Sequence, residues 1–179
     1  VIEGGVLEVD SCVTEALFPG SNNENWAFNE PNDTGGNENI GEIYSNGTWN
    51  DEDETTKNQR YLFEYESIVS SLPGFTKIGE YDGHTYFISD QSFLWNNAKA
   101  DAAAEGGYLA MLKTVEENDA VAAMLPNGQF HFGLYQDETD PFFKEPEGGW
   151  KWIDGTYLYD TGKSRTLCGV SVSYTHLRD

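Results

Sequence analysis

Apolar and polar residues alternate over short stretches through much of the chain, the period of two that marks half-buried strands. The segment "RYLFEYE" (60–66) alternates in this way and predicts a strand. "IGEIYSNGTWND" (40–51) predicts a hairpin, with Ile40 to Tyr44 running out, a turn on Ser45-Asn46-Gly47, and Thr48 to Asn50 running back. "FTKIGEYDGHTYFIS" (75–89) predicts a second hairpin turning at Asp82-Gly83, a pair that supplies the left-handed backbone a two-residue turn needs. Two stretches change to helical spacing. In "SFLWNNAKADAAAEGG", Trp95, Ala98 and Ala102 share one face and Gly106 or Gly107 ends the helix. In "TVEENDAVAAML", Thr114 and Glu117 make a capping box and Pro126 follows the end. "QFHFGLY" (129–135) is apolar enough for a buried strand, and "GGWKWIDGTYLYD" (148–160) reads as strand and turn. Residues 1–25 read as irregular, "DEDETTKNQ" as a polar loop, and "SIVSSLPG" (67–74) as a linker. Short antiparallel strands around two helices predict an α+β fold.

The charge narrows the function classes. At 179 residues the chain has room for one ordinary domain. Its net charge of -21 argues against nucleic acid or an anionic membrane surface as partner, because both demand a basic face. The acids are unevenly spread: residues 1–67 hold 15 acids and 2 bases, net -13, against 16 acids and 8 bases, net -8, in 68–179. No apolar run approaches the roughly 18 residues of a membrane span. Cys12 and Cys168 make neither a disulfide framework nor a metal motif. The first residue is Val, so a missing N-terminal piece is expected, and no signal peptide is visible.

The most acidic part also holds the most specific pattern. Trp26, Glu30-Pro31-Asn32 and Glu38 precede a short strand and Trp49-Asn50-Asp51, and Tyr61–Tyr65 follows. Further on come the hairpin 75–88, Trp95, Gly106-Gly107-Tyr108-Leu109, Glu116-Glu117-Asn118 and Phe132-Gly133-Leu134. Together these resemble the C-type lectin domain family, over about 26–67 and 75–160. The resemblance implies a fold of two helices, small antiparallel sheets and a long calcium-binding loop, and a non-enzymatic, extracellular or cell-surface protein. It also implies a set of ligands, Glu30, Asn32, Glu38, Asn50 and Asp51, for both Ca2+ and sugar. The chemistry agrees: calcium takes six to eight oxygens, and three carboxylates with two amides supply hard donors and no soft ones. A sugar hydroxyl on such an ion can donate to Glu30 or Glu38 and accept from the amide of Asn32 or Asn50. Glu-Pro-Asn implies the mannose, glucose and N-acetylglucosamine class, whereas the galactose type reads Gln-Pro-Asp. In the family the bond before that proline is cis.

Two departures shape the expectations. The family's disulfide positions read Ala102, Phe63 and Ile40 here, and a buried Phe63 against Ala102 fills that volume. The order of halves is also inverted. Residues 1–67 read as the second half of a domain, 68–74 as a linker and 75–163 as the first half, as in a fragment cut from a tandem array. The two halves are expected to close as one circularly permuted domain, with 60–66 beside 75–80 and 129–135 in the sheet of the 40–50 hairpin. A domain-swapped dimer is the competing arrangement. The tail 164–179 matches nothing in the family; "RTLCGVSVSYTHLRD" resembles translated cloning-adaptor sequence. Alternatives to sugar binding are an adhesive or protein-binding module with structural calcium only, and ice binding. A glycosidase pair of Glu30 and Asp51 lacks a water-excluding pocket. Asp137, Glu138 and Asp140 stand where some relatives hold auxiliary calcium, and read more simply as a solvated loop. His84 and His131 read as surface or packing residues, Glu145-Pro146-Glu147 as a loop, and the sequons at Asn32 and Asn46 as chance.

Overall fold

The computed structural model describes residues 23–159, together with the backbone of two short strands at 13–16 and 164–167. These two, β1 (Val13–Ala16) and β10 (Ser164–Leu167), pair antiparallel as a separate ribbon. The ribbon corrects the expectation of an irregular 13–16. Cys12, Cys168 and the other tail residues lie outside the described residues.

The remaining strands form two four-stranded sheets. One has the order β3-β2-β8-β9, from β2 (Ile40–Tyr44), β3 (Trp49–Glu52), β8 (Gln129–Gln136) and β9 (Trp150–Trp152). The other has the order β5-β6-β4-β7, from β4 (Leu62–Tyr65), β5 (Phe75–Tyr81), β6 (His84–Ser89) and β7 (Tyr108–Leu109). All the pairings are antiparallel. Strand 129–136 therefore does share a sheet with the 40–52 hairpin. Strand β4 shares a sheet with β5 but does not lie beside it: β6 stands between, its Phe87 opposite both Phe63 and Lys77. The hairpin β5–β6 is closed by Asp82 and Gly83, at φ 46° and 86°, the mirror-image turn that Asp-Gly favours. The 67–74 connection is packed down: Val69 N donates to Thr85 Oγ1 (3.0 Å), and Val69 and Leu72 lie against the core.

Helix α1 (Trp95–Ala104) buries Trp95, Ala98 and Ala102, and Gly106 follows it at φ 85°. Helix α2 (Val115–Ala122) is capped by Thr114, whose hydroxyl accepts from Glu117 N (3.1 Å). The reciprocal bond is displaced by one residue, since Glu117 Oε2 accepts from Lys113 N (2.9 Å) and not from the cap residue itself.

The core has two parts. Phe63, Ala102 and Ile40 share one buried cluster with Tyr61, Phe87, Trp95, Ala98 and Leu109. The other part is built on indoles. Trp49 meets Trp152 edge-on at 5.8 Å and Phe132 at 5.3 Å, and Trp26 lies edge-on to Trp49 at 5.8 Å and to Trp150 at 4.9 Å. Such contacts add about 0.5–1.5 kcal/mol each beyond burial. This cluster fixes the start of β3, and hence the position of Asn50 and Asp51.

Candidate oxygen-donor site

The loop 27–39 leads into β2 and folds over the first residues of β3. Trp49 is fully buried and its Nε1 donates to Asn118 Oδ1 (2.9 Å), which ties β3 to α2. Asp51, 1 % exposed, then faces the loop. Its carboxylate accepts from Asn32 N (3.1 and 3.0 Å) and from Asp33 N (2.7 Å). Two backbone donors on one carboxylate hold the Glu-Pro-Asn segment against the strand. The Glu30–Pro31 bond is cis. Asn32 Nδ2 donates to Glu30 Oε2, and Thr34 Oγ1 to Asn32 Oδ1. Glu38 Oε2 accepts from Thr34 N (2.6 Å), and Glu38 N donates to Asp33 Oδ1 (3.2 Å).

Four of the five expected residues, Glu30, Asn32, Glu38 and Asp51, thus fall in one hydrogen-bonded or electrostatically coupled group. Asn50 is the outlier. Its amide nitrogen is directed at Asp51 O (2.5 Å) and at Glu42 Oε2 (3.3 Å).

The electrostatics are those of uncompensated negative charge. Burial, then the hydrogen bond and charge of Asp51, push the Glu30 carboxyl up to about 7. Burial and the charges of Asp51, Glu52 and Asp33 push Glu38 up to about 6, against the bond from Thr34 N. Among the described residues the ion pairs fall elsewhere, and no Lys, Arg or His pairs with Glu30, Glu38 or Asp51. Among the described residues, too, no three carboxylate, imidazole or thiol groups close into a finished metal cage. The donors nonetheless fit a hard cation: they are oxygens alone, they repel one another, and no protein cation relieves them.

A second group lies behind the loop, and sequence reasoning missed it. Asn39 Oδ1, Gln136 Oε1 and Glu145 Oε2 are buried oxygens without a hydrogen-bond partner. Gln136 N donates to Asn39 O (2.8 Å), and Asn39 Nδ2 to Glu138 Oε1 (3.1 Å). The Glu145 carboxyl is pushed up by burial, then by the charges of Asp33 and Asp51. Glu145-Pro146-Glu147 is a turn, in line with the expected loop. Its first bond is cis, and Pro146 O accepts from Trp150 Nε1 (3.0 Å). The acids after "GL" do not gather. Asp140 is bound by Lys151 and by Tyr157 (2.8 Å), and Asp137 by Thr139 (2.6 Å). His131 serves packing and His84 a surface pair. His131 is fully buried between Gln59, Lys57 O and Phe93 O, and His84 pairs with the buried Glu64 (2.5 Å).

A small α+β domain that presents an acidic oxygen-donor loop on an indole platform is the class that fold and site define. Among curated proteins the chain is similar to lectin BRA-3 of Megabalanus rosa, 27% identical over 96 residues, which cover 52% of this chain and 55% of that protein. It is 30% identical over 77 residues to asialoglycoprotein receptor 2 of Mus musculus, covering 43% of this chain and 23% of the receptor. It is 31% identical over 80 residues to C-type lectin domain family 4 member A of Homo sapiens, covering 42% of this chain and 30% of that protein. The chain spans about half the length of the first relative and less of the others. These similarities support a C-type lectin-like family, and the two helices with antiparallel sheets are compatible with that fold. No protein-family profile matches the chain, and no solved structure does.

Proposed function

We propose that this chain binds carbohydrate outside the cell through Ca2+ held by Glu30, Asn32, Glu38, Asn50 and Asp51, with preference for the mannose, glucose and N-acetylglucosamine class. One observation carries the reading: the oxygens of Glu30, Asn32, Glu38 and Asp51 form one coupled group, and among the described residues no Lys, Arg or His pairs with its carboxylates. A bound ion would supply the charge that lets all three carboxylates stay ionised, and open positions for two neighbouring hydroxyls. The protein does the rest. Asp51 fixes the loop through Asn32 N and Asp33 N, and Glu30 and Glu38 accept hydrogen bonds from the hydroxyls. Asn32 offers an amide donor, and Asn50 joins by turning its side chain away from Glu42. The unpartnered oxygens of Asn39, Gln136 and Glu145, with Asp33, suit a second cation of structural role.

We read the chain as a circular permutant. The pairing of β2 with β8 and of β4 with β6 joins residues before and after the 67–74 connection, which supports one closed domain. Trp26 Nε1 donating to Tyr159 OH (2.8 Å) supports it again, because it brings the end of one half to the start of the other. A second reading, an adhesive module with structural calcium only, is favoured by Phe28, which is 92% exposed two residues before Glu30. A glycan screen with and without EDTA separates the two. Retention of mannose-type glycans in calcium, abolished by chelation, supports the first; binding of no glycan in calcium overturns it.

A further inference from the structure

The recess beside Glu30 is lined by Trp26, Glu30, Pro31, Glu147 and Tyr159 and has a volume of about 280 Å3. Because Glu30 is shared, the recess opens directly off the sugar-facing edge of the site. It lies just under the usual size range for small-molecule pockets, and so suits one ring and not a chain.

Its walls have a definite chemistry. Trp26 is a half-buried indole held from three sides, by Trp49, by Trp150 and by its hydrogen bond to Tyr159. A ring fixed in advance has no further ordering cost, and an indole face is the complement of the C–H face of a pyranose. Having accepted from Trp26, the Tyr159 hydroxyl keeps a proton to donate. Glu30 and Glu147 offer acceptors only. The rim is acidic, since the charges of Glu24 and Glu147 both act on Tyr159, and among the described residues no Lys, Arg or His lines the recess.

Resting on the sugar-binding reading above, we propose that this recess is a second subsite, which takes a neutral sugar ring linked to the one at Glu30 and excludes a ring bearing carboxylate or sulfate. Ring stacking on Trp26 and hydroxyl bonds to Glu147 and Tyr159 hold the second ring. The carboxylates of Glu30 and Glu147 repel an acidic one.

The test is calorimetric titration in calcium with methyl mannoside, the α1-2, α1-3 and α1-6 mannobioses, and a glucuronyl-mannose disaccharide. At least one mannobiose should bind about tenfold tighter than methyl mannoside, and glucuronyl-mannose should bind no tighter than it. Glu147 is exposed, so its substitution leaves the fold intact. E147K should erase much of the mannobiose advantage, raise the affinity for glucuronyl-mannose, and leave methyl mannoside unchanged. If every mannobiose binds like methyl mannoside, or if E147K changes neither disaccharide, the subsite is refuted while the primary site stands. If methyl mannoside itself fails to bind, the sugar reading and the subsite fall together.

Discussion

Asp51→Asn separates the loop's architecture from its charge. In the wild type the Asp51 carboxylate takes two backbone N–H groups, from Asn32 (3.1 and 3.0 Å) and Asp33 (2.7 Å). Reducing charged bonds to neutral ones costs about 1 kcal/mol each, so about 2 kcal/mol for the pair. Relief of repulsion offsets part of this, since Asp51 is a main cause of the raised Glu30 carboxyl. Glu30 is only partly buried, so solvent screening holds that gain to about 1 kcal/mol or less. In EDTA the variant should therefore be less stable by about 1 kcal/mol. Calcium should then widen the gap. At a free concentration of about 100 times the wild-type Kd, the wild type gains about 2.7 kcal/mol. If the lost carboxylate weakens affinity a hundredfold, the variant gains only about 0.4 kcal/mol by the same linkage. Urea unfolding followed by tryptophan fluorescence, in EDTA and at fixed free calcium, measures both gaps. Equal stabilisation of the two proteins by calcium would refute the assignment of Asp51 as a ligand.

Other outcomes follow from the same geometry. Glu30→Gln with Asn32→Asp exchanges acceptor and donor and should shift preference from mannose towards galactose; unchanged selectivity in a variant that still binds calcium and sugar contradicts the mannose-type assignment. Gly41 pairs with Asp51, and a Cβ there would lie 2.6 Å from the Phe132 ring and 2.9 Å from Leu134 Cβ. Gly41→Ala should cost about 1–3 kcal/mol in urea unfolding and also weaken calcium binding, because the strand carrying Asp51 must shift. Burial holds His131 down from 6.5 to about 4. Its folded value is depressed, so its contribution is complete above pH 6.5 and is lost as pH falls towards 4, up to about 3 kcal/mol. His131→Gln should flatten that part of the stability profile relative to the wild type, and two parallel profiles between pH 7 and 4 would show that another group causes the acid sensitivity.

Local chemistry was legible in the sequence wherever one segment decides the outcome. The Asp82-Gly83 turn, the Trp95, Ala98 and Ala102 face and the Thr114 cap each rest on spacing within a few residues, and each is present. Much of the oxygen-donor set was legible for the same reason, since Glu30, Asn32 and Glu38 lie within nine residues of one another. What was missed depends on distant segments meeting. Asn39, Gln136 and Glu145 become neighbours only when β8 docks beside β2, and no local pattern marks an unpartnered oxygen. The place of β6 between β4 and β5 is likewise set by which strand faces pair, not by the alternation within each. The same holds for Asn50, where the β2–β3 register brings Glu42 opposite and its Oε2 accepts from the Asn50 amide (3.3 Å), a contact the motif does not mark.

The most direct test of the central claim is calorimetric titration of the intact chain with Ca2+, followed by mannose with and without EDTA. The account predicts saturable calcium binding that Asp51→Asn or Glu38→Ala weakens strongly, and mannose binding that appears only with calcium present. Mannose binding undiminished by EDTA, or no heat of calcium binding at millimolar concentration, would contradict it.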